Sequence, residues 1–203
     1  MSITKKSILL ILIVLTIDQA TKIYVKLNFS LGEHVDVLSW FKIYFIENNG
    51  MAFGMEIIGK LFLTLFRIVA VFVLSLYIRK LIKAQVSEGF ILTISLVLAG
   101  AAGNIIDSVF YGVIFSASDL TGTIATFHPD GGGYQSLFHG KVVDMLYFPL
   151  IKNTAGETIF FSPIFNIADS AISIAVGIIL IFYRNELNDT LETKKSDDVS
   201  TEK

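Results

Sequence analysis

Two aspartates near the end of this sequence have the residue type and placement to act together as an acid and a base. Asp144 ends the run "GKVVD", and Asp169 lies near the start of the apolar run 164–182. Carboxyl groups held close together cannot both ionise cheaply, so such a pair shares one proton. One group then accepts a proton from water while the other donates to a carbonyl or a leaving amine. The pair predicts an aspartic hydrolase.

Other ionisable and amide side chains are expected at the same depth as this pair. Counting about 1.5 Å of rise per helical residue places them near one surface of a membrane. Ionisable groups in membrane helices are costly, and they usually mark a functional site. Two alternatives stay open: charges that extend to interfacial water, and a small proton-coupled transporter that uses the buried acids. The residues concerned are Asp18, Lys22, Asp107, Asn48, Asn104 and Asn166.

The elements that must position these residues are membrane helices. The chain has 203 residues, of which 53% are hydrophobic, and its mean hydropathy is +0.67. The apolar residues are concentrated in blocks, which is typical of a polytopic membrane protein. We therefore predict an α-helical membrane protein with four transmembrane helices. The predicted spans are about 7–25, 61–78, 89–111 and 166–183.

Basic residues and strand-like runs predict the orientation and the outer layer. Lysine and arginine precede the first span, crowd the connection after the second span and follow the fourth. Both termini are therefore expected in the cytoplasm, with loops 26–60 and 112–163 outside. These loops contain β-branched and aromatic runs, which predict a small extracytoplasmic β-cradle. Residues 1–184 form one predicted domain, and the charged tail 185–203 is predicted to be disordered.

Composition also excludes several classes of chemistry. The sequence contains no cysteine, which removes thiolate nucleophiles and thiolate metal sites. The three histidines, His34, His128 and His139, lack metal-ligand spacing, so neither a metal nor another cofactor is expected. A formal net charge of −2 gives no reason to expect nucleic acid as a partner.

Five motifs in order resemble those of the lipoprotein signal peptidase family, also called signal peptidase II. They are "DQATK", "ENNGMAFG", "GNIID", "GKVVD" and "FNIAD", and the resemblance covers about residues 5–184. It implies a bacterial inner-membrane aspartyl endopeptidase that is a monomer surrounded by membrane lipid. Such an enzyme removes the signal peptide from diacylglyceryl-modified prolipoproteins, cleaving before the lipidated cysteine at the extracytoplasmic face.

The resemblance also implies residue roles. Asp144 and Asp169 correspond to the catalytic dyad of the family. Asp18 and Lys22, one helical turn apart, resemble a supporting ion pair, and a purely bundle-stabilising role is the alternative. The other substrate-binding or supporting positions are Asn48, Gly50, Asn104 and Asn166.

Two features depart from the family pattern. Ser108 follows "GNIID", where the family commonly has arginine, whereas Arg67 is isolated in the second apolar span. We expect Arg67 to supply the missing charge; the alternative is a structural arginine that pairs with Asp107 or extends outward to water. The segment 113–139 is longer than the usual link, and it is expected to be either a lid over the substrate or a surface insertion.

Overall fold

Four long helices form the framework of the described part of the chain. The computed structural model describes residues 1–49, 59–152, 158–160, 162–190 and 192. Each long helix has 24 to 27 residues and is apolar enough to cross a membrane, and about 20 apolar residues suffice for that. The four predicted spans are confirmed. The helices are α1 Ile3–Asn28, α2 Lys60–Lys83, α3 Glu88–Ile114 and α4 Ile167–Thr190.

The last helix is longer than the sequence predicts. Residues 185–190, which were expected to begin a disordered tail, continue α4. No glycine or proline interrupts this stretch, and contacts with other helices hold it. The Thr190 and Tyr77 hydroxyl oxygens lie 2.6 Å apart, and Ser87 Oγ donates to Glu186 at 2.8 Å. Apart from residue 192, which is helical, the rest of the tail lies outside the described residues.

Helix α3 lies at the centre of the bundle, where it contacts α1, α2 and α4. In the most apolar 18-residue stretch of α3, 44% of the residues are buried, whereas the corresponding share for α2 is 11%. Small residues permit the close approach of its neighbours. A Cβ atom added at Gly100 would lie 2.3 Å from the Ala168 carbonyl oxygen, and one at Gly103 would lie 2.6 Å from Asp18 Oδ2. The start of α4 is thereby held close to α3 and α1.

A four-stranded antiparallel sheet covers one end of the bundle. Its order is β1-β2-β3-β6, and β4 pairs separately with β5. Strand β3 lies between β2 and β6, and β6 leads directly into α4. The sheet therefore brings the end of β2, the middle of β3 and the start of α4 together. The strands are β1 His34–Leu38, β2 Phe41–Asn48, β3 Val142–Tyr147, β4 Ile151–Lys152, β5 Thr158–Phe160 and β6 Ile164–Phe165.

An apolar cluster fixes the sheet on the helix ends. It joins the last turns of α1 and α3 to the inner faces of β2 and β3, and its burial from water stabilises that packing. The register of β2 against β3 places Ile46 opposite Asp144 and Asn48 opposite Val142. The fully or almost fully buried members of the cluster are Val25, Phe45, Tyr111, Phe115, Val143 and Met145.

The long segment 113–139 is joined to the helices by backbone hydrogen bonds. The Gln135 amide donates to the Gly112 carbonyl at 2.8 Å, close to the end of α3. The Leu31 amide, just after α1, donates to the Asp119 carbonyl at 3.1 Å. The segment thus packs against the ends of α1 and α3.

Candidate active site

Asp144 lies in the middle of β3 with only 1% of its surface exposed. Its Oδ1 accepts a hydrogen bond from Asn166 Nδ2 at 2.6 Å, and its Oδ2 accepts one from Asn48 Nδ2 at 3.2 Å. Burial raises the pKa of Asp144 to about 7, and the negative charge of Asp169 adds to this rise. The two amide donors and the charge of Lys22 act in the opposite direction. Asp144 can therefore carry a proton near neutral pH.

Asp169 lies in the first turn of α4, where a capping box fixes its backbone and side chain. The N-cap residue is Asn166, whose Oδ1 accepts from the Asp169 amide at 2.9 Å. In return, Asp169 Oδ2 accepts from the Asn166 amide at 3.4 Å. Its Oδ1 accepts from Asn104 Nδ2 at 2.8 Å. The residue is only partly buried, so water can reach the carboxylate that the helix start orients.

Asn166 joins the two aspartates through a single, fully buried side chain. Its oxygen caps α4 at Asp169, and its Nδ2 lies 2.6 Å from Asp144 Oδ1. The same Nδ2 lies 3.1 Å from Asn104 Oδ1 and 3.3 Å from the Val143 carbonyl oxygen. An amide nitrogen has only two hydrogens, so the three acceptors share them. Exchanging the amide oxygen and nitrogen would break the contacts with both aspartates.

A buried ion-pair network supports the two aspartates, because it contacts Asn104 and the start of α4. Lys22 Nζ lies 3.0 Å from Asp18 Oδ2, 2.9 Å from Asp107 Oδ2 and 2.9 Å from Asn104 Oδ1. An ammonium group has three hydrogens, so these three acceptors satisfy it completely. Asp18 Oδ1 accepts from the Ala168 amide at 2.9 Å, one of the amides that a helix start leaves unpaired. The network therefore connects α1 and α3 to the first turn of α4.

Gln19 and Tyr111 complete the network around Asp107. Gln19 Nε2 donates to Asp107 Oδ1 at 2.9 Å, and Tyr111 OH donates to Gln19 Oε1 at 3.1 Å. Asp107 Oδ2 also accepts from the Val143 amide at 3.2 Å, directly beside Asp144 on β3. A π-helical turn at Asp107–Tyr111 begins at this point of α3, and such turns often occur at functional sites.

Arg67 extends from α2 to Ser108 at the end of α3. Its Nη1 lies 3.5 Å from Ser108 Oγ, which itself donates to the Asn104 carbonyl at 3.0 Å. Among the described residues, the negative charges of Asp169 and Asp144 act on the guanidinium. Arg67 thus supplies a positive charge that acts on both aspartates, although the three residues come from α2, α4 and β3.

The structure brings eight of the nine predicted site residues into this region. Gly50 lies outside the described residues. The eight are Asp18, Lys22, Asn48, Arg67, Asn104, Asp144, Asn166 and Asp169.

Sequence reasoning gave no role to four residues that contact this group or lie next to it: Gln19, Lys26, Glu47 and Tyr111. A signal for Lys26 was present, because Asp18, Lys22 and Lys26 are spaced four apart and share one face of α1. All three of these side chains are fully buried. Glu47, which pairs with Lys26, gave no such signal, because its partners are distant in sequence.

Comparisons with known proteins give matches over most of the chain. The model of a family described as signal peptidase (SPase) II matches residues 10–184. A lipoprotein signal peptidase from Porphyromonas gingivalis is 47% identical, covering 92% of this chain and 86% of its relative. One from Amoebophilus asiaticus is 33% identical, covering 93% and 82%. A solved bacterial membrane enzyme superposes with a TM-score of 0.60 at 26% identity, covering 92% and 90%.

Proposed function

The chain belongs to the signal peptidase II family, and on this premise we propose that it removes signal peptides from diacylglyceryl-modified prolipoproteins by aspartyl catalysis. Cleavage falls before the lipidated cysteine. The observation that carries the catalytic assignment is the Asn166 side chain, which hydrogen-bonds Asp144 and caps the helix turn of Asp169. A carboxyl group that keeps a proton near neutral pH thus lies beside one that water can reach.

The proposed reaction uses one proton shared by the two aspartates. The ionised carboxylate takes a proton from water, and the resulting hydroxide forms a bond to the scissile carbonyl carbon. The carboxylic acid of the pair protonates the carbonyl oxygen, which gives a neutral tetrahedral intermediate. In its collapse, the newly ionised carboxylate takes a hydroxyl proton as the carbonyl re-forms. The other aspartate, which took the proton from water, donates it to the leaving amine of the cysteine as the C–N bond breaks. The proton belongs to the pair rather than to one residue.

The surrounding amides and cations act by orientation and charge. Asn48, Asn104 and Asn166 donate hydrogen bonds to the dyad carboxylates, which fixes the direction of their lone pairs. Arg67 supplies the positive charge that the family places at position 108. Replacing Arg67 by Leu should lower turnover about tenfold or more, and adding Ser108→Arg should restore part of it. Absence of any restoration counts against this compensation.

The apolar parts of the substrate have a suitable surface beside the dyad. A cavity of about 500 Å³ lies between α1, the sheet and the start of α4, and Tyr24, Leu146 and Ile167 are among its lining residues. Ile167 directly follows Asn166. We propose that acyl chains of the diacylglyceryl group, which is confined to the membrane, occupy this apolar cavity.

The enzyme is an inner-membrane protein, and we place its active site at the extracytoplasmic face. Lys80 and Lys83 lie in the last turn of α2, and Lys5 and Arg184 lie near the chain ends, so basic residues concentrate at one side. Both termini then lie in the cytoplasm, and the sheet lies outside. No observation favours the transporter alternative, since Asp144 lies on a strand rather than at the bilayer midplane.

The proposed substrate class is tested with purified enzyme in lipid nanodiscs. One prolipoprotein is offered in two forms, with and without the diacylglyceryl group on its cysteine. We expect rapid cleavage of the lipidated form only, with a new amino terminus at the lipidated cysteine by mass spectrometry. Equal processing of both forms, or cleavage at another bond, contradicts the proposal.

A further inference from the structure

A second buried charge cluster lies beside the dyad, and the proposed reaction does not use it. Its centre is Lys26, in the last turn of α1, whose side chain is fully buried. Lys26 Nζ pairs with Glu47 and donates to Ser118 Oγ at 3.0 Å. It also lies 4.9 Å from the centre of the Tyr134 ring, within cation–π distance. We call Lys26, Glu47, Ser118, Tyr134 and Lys141 the Lys26 cluster.

Glu47 connects this cluster to the catalytic pair. Its side chain is 2% exposed and pairs with Lys26 through Oε1 and with Lys141 through Oε2, the latter at 3.2 Å. The next residue, Asn48, ends β2 and donates to Asp144. Two cations, one on α1 and one just before β3, therefore hold the side chain of the residue that precedes Asn48.

The long segment 113–139 supplies the other side of the cluster. Ser118 and Tyr134 both belong to it, and two hydrogen bonds hold Tyr134 in place. Its amide donates to the Phe115 carbonyl at 3.0 Å, and its hydroxyl accepts from the Lys141 amide at 2.7 Å. The ring lies 5.7 Å from Lys141 Nζ as well. The segment thus contacts both lysines that hold Glu47.

We propose that segment 113–139 is a fixed clamp, which acts through Lys26 and Glu47 to position Asn48 against Asp144. Lys26, Glu47 and Tyr134 are then positioning residues of the peptidase reaction. The inference rests on the proposed function, because Asp144 must be catalytic for its positioning to affect turnover. A clamp differs from a lid in that the segment stays in place throughout the reaction cycle.

A role in stability alone is distinguished from positioning by the pH profile. In the described part of the chain, the groups that act on Asp144 include Asp169 on α4, Lys22 on α1, Arg67 on α2 and the amides of Asn48 and Asn166. Asn48 favours the ionised form of Asp144, so loss of its hydrogen bond raises the pKa of Asp144. The alkaline limb of the kcat/KM profile, which reports the dyad in the free enzyme, then moves to higher pH.

The test compares variants of the clamp with Asn48→Ala in the full-length enzyme, using the lipidated prolipoprotein. Tyr134→Leu removes the ring that the segment contributes. The double variant Lys26→Met with Glu47→Met removes the buried pair without leaving one charge unpaired, which protects folding, and Lys141 is exposed enough to reach water. Thr126→Val is the matched control, since its hydroxyl contacts Ser116 within the same segment.

We expect both clamp variants to accumulate in the membrane. Their kcat should fall about tenfold to a hundredfold, because small misplacements of catalytic groups have effects of this size. The alkaline limb of their kcat/KM profile should move to higher pH. Combined with Asn48→Ala, they should add no further loss, while Thr126→Val stays like the unmodified enzyme. Should Tyr134→Leu fail to fold, the double apolar variant decides. Unchanged kcat and an unmoved limb in a folded clamp variant overturn the proposal, as do losses that simply multiply with that of Asn48→Ala. Activity of the unmodified enzyme on the same substrate keeps the proposed function separate from this outcome.

Discussion

At the residue scale, the Asn166 side chain has two roles that can be tested separately. Its oxygen caps α4 by accepting from the Asp169 amide, and its nitrogen donates to Asp144. Asparagine and serine are comparable helix caps, whereas alanine is a poor one. Serine, however, has no second polar atom that can reach Asp144 while its hydroxyl caps the helix.

Replacing Asn166 by Ser or by Ala should therefore distinguish its role as a helix cap from its hydrogen bond to Asp144. We expect both variants to lose most of their turnover, because Asp144 loses its shortest hydrogen bond. Only Asn166→Ala should also lose about 1 kcal/mol of stability through the missing cap. Turnover and thermal unfolding in detergent measure the two effects. An active Asn166→Ser enzyme contradicts the assignment of Asn166 to the dyad.

The pKa of Asp144 sets a second residue-scale prediction. Because burial raises that pKa to about 7, the dyad keeps its shared proton below this pH and loses it above. Two ionised carboxylates have no acid to donate to the carbonyl oxygen. We therefore expect kcat/KM to fall as the pH rises above about 7 and to recover when the pH is returned. A rate that stays level up to a pH of about 9, two units above that pKa, is the contradicting result.

The aspartates themselves could be predicted from sequence, because the motifs that contain them are short and local. Arg67, which reaches Ser108 from another helix, was also predicted, because it is an isolated charge in an apolar span. The contacts of Glu47 were not, because it meets Lys26 and Lys141 only when β2, α1 and the start of β3 are assembled. Such partners are distant in the chain, and no local periodicity connects them.

At the element scale, the packing of α4 on α3 determines where Asn166 and Asp169 lie. Gly100 allows α3 to approach the Ala168 carbonyl oxygen so closely that a Cβ atom would lie 2.3 Å from it. That oxygen is backbone and can move only with the helix. Gly177, also in α4, has no neighbouring heavy atom within 4 Å of an added Cβ.

Gly100→Ala should therefore displace the start of α4. We expect a loss of about 1–3 kcal/mol in the free energy of unfolding, as for overpacked cores, together with reduced turnover. Gly177→Ala serves as the control and should be neutral or slightly stabilising, since alanine favours a helix. Thermal unfolding and turnover of both variants are the measurements. Equal effects of the two substitutions contradict this account of the helix interface.

The helices were predictable because apolar blocks of this length rarely form anything but membrane spans, but their ends were not. Residues 185–190 look like a solvated tail by composition, yet contacts of Thr190 and Glu186 with α2 and the start of α3 keep them helical. The strands were predicted as well. Their order depends on which distant strands pair, and that is decided by the assembled core beneath them.

At the scale of the whole molecule, the proposed orientation puts the sheet and the dyad outside and the connection between α2 and α3 inside. The chain contains no cysteine, so a single introduced thiol reports one position. Thr121 and Ala84 are both exposed and lie in the two opposite regions.

In spheroplasts treated with a membrane-impermeant maleimide, we expect Thr121→Cys to be labelled and Ala84→Cys to be protected. After the membrane is permeabilised, both should react, which controls for accessibility. Labelling of Ala84→Cys alone in intact spheroplasts would reverse the topology and place the dyad at the cytoplasmic face.

The central claim is that Asp144 and Asp169 carry out the cleavage, and isosteric replacement tests it most directly. Single Asp→Asn variants at both positions are assayed on the diacylglyceryl prolipoprotein, with Asp36→Asn, an exposed aspartate of β1, as a matched control. The amide keeps the shape of the carboxyl group but can neither share nor transfer the proton. We predict that both dyad variants remain in the membrane and lose on the order of a thousandfold in turnover, while Asp36→Asn keeps its activity. Processing at the unmodified rate by either dyad variant would contradict the account.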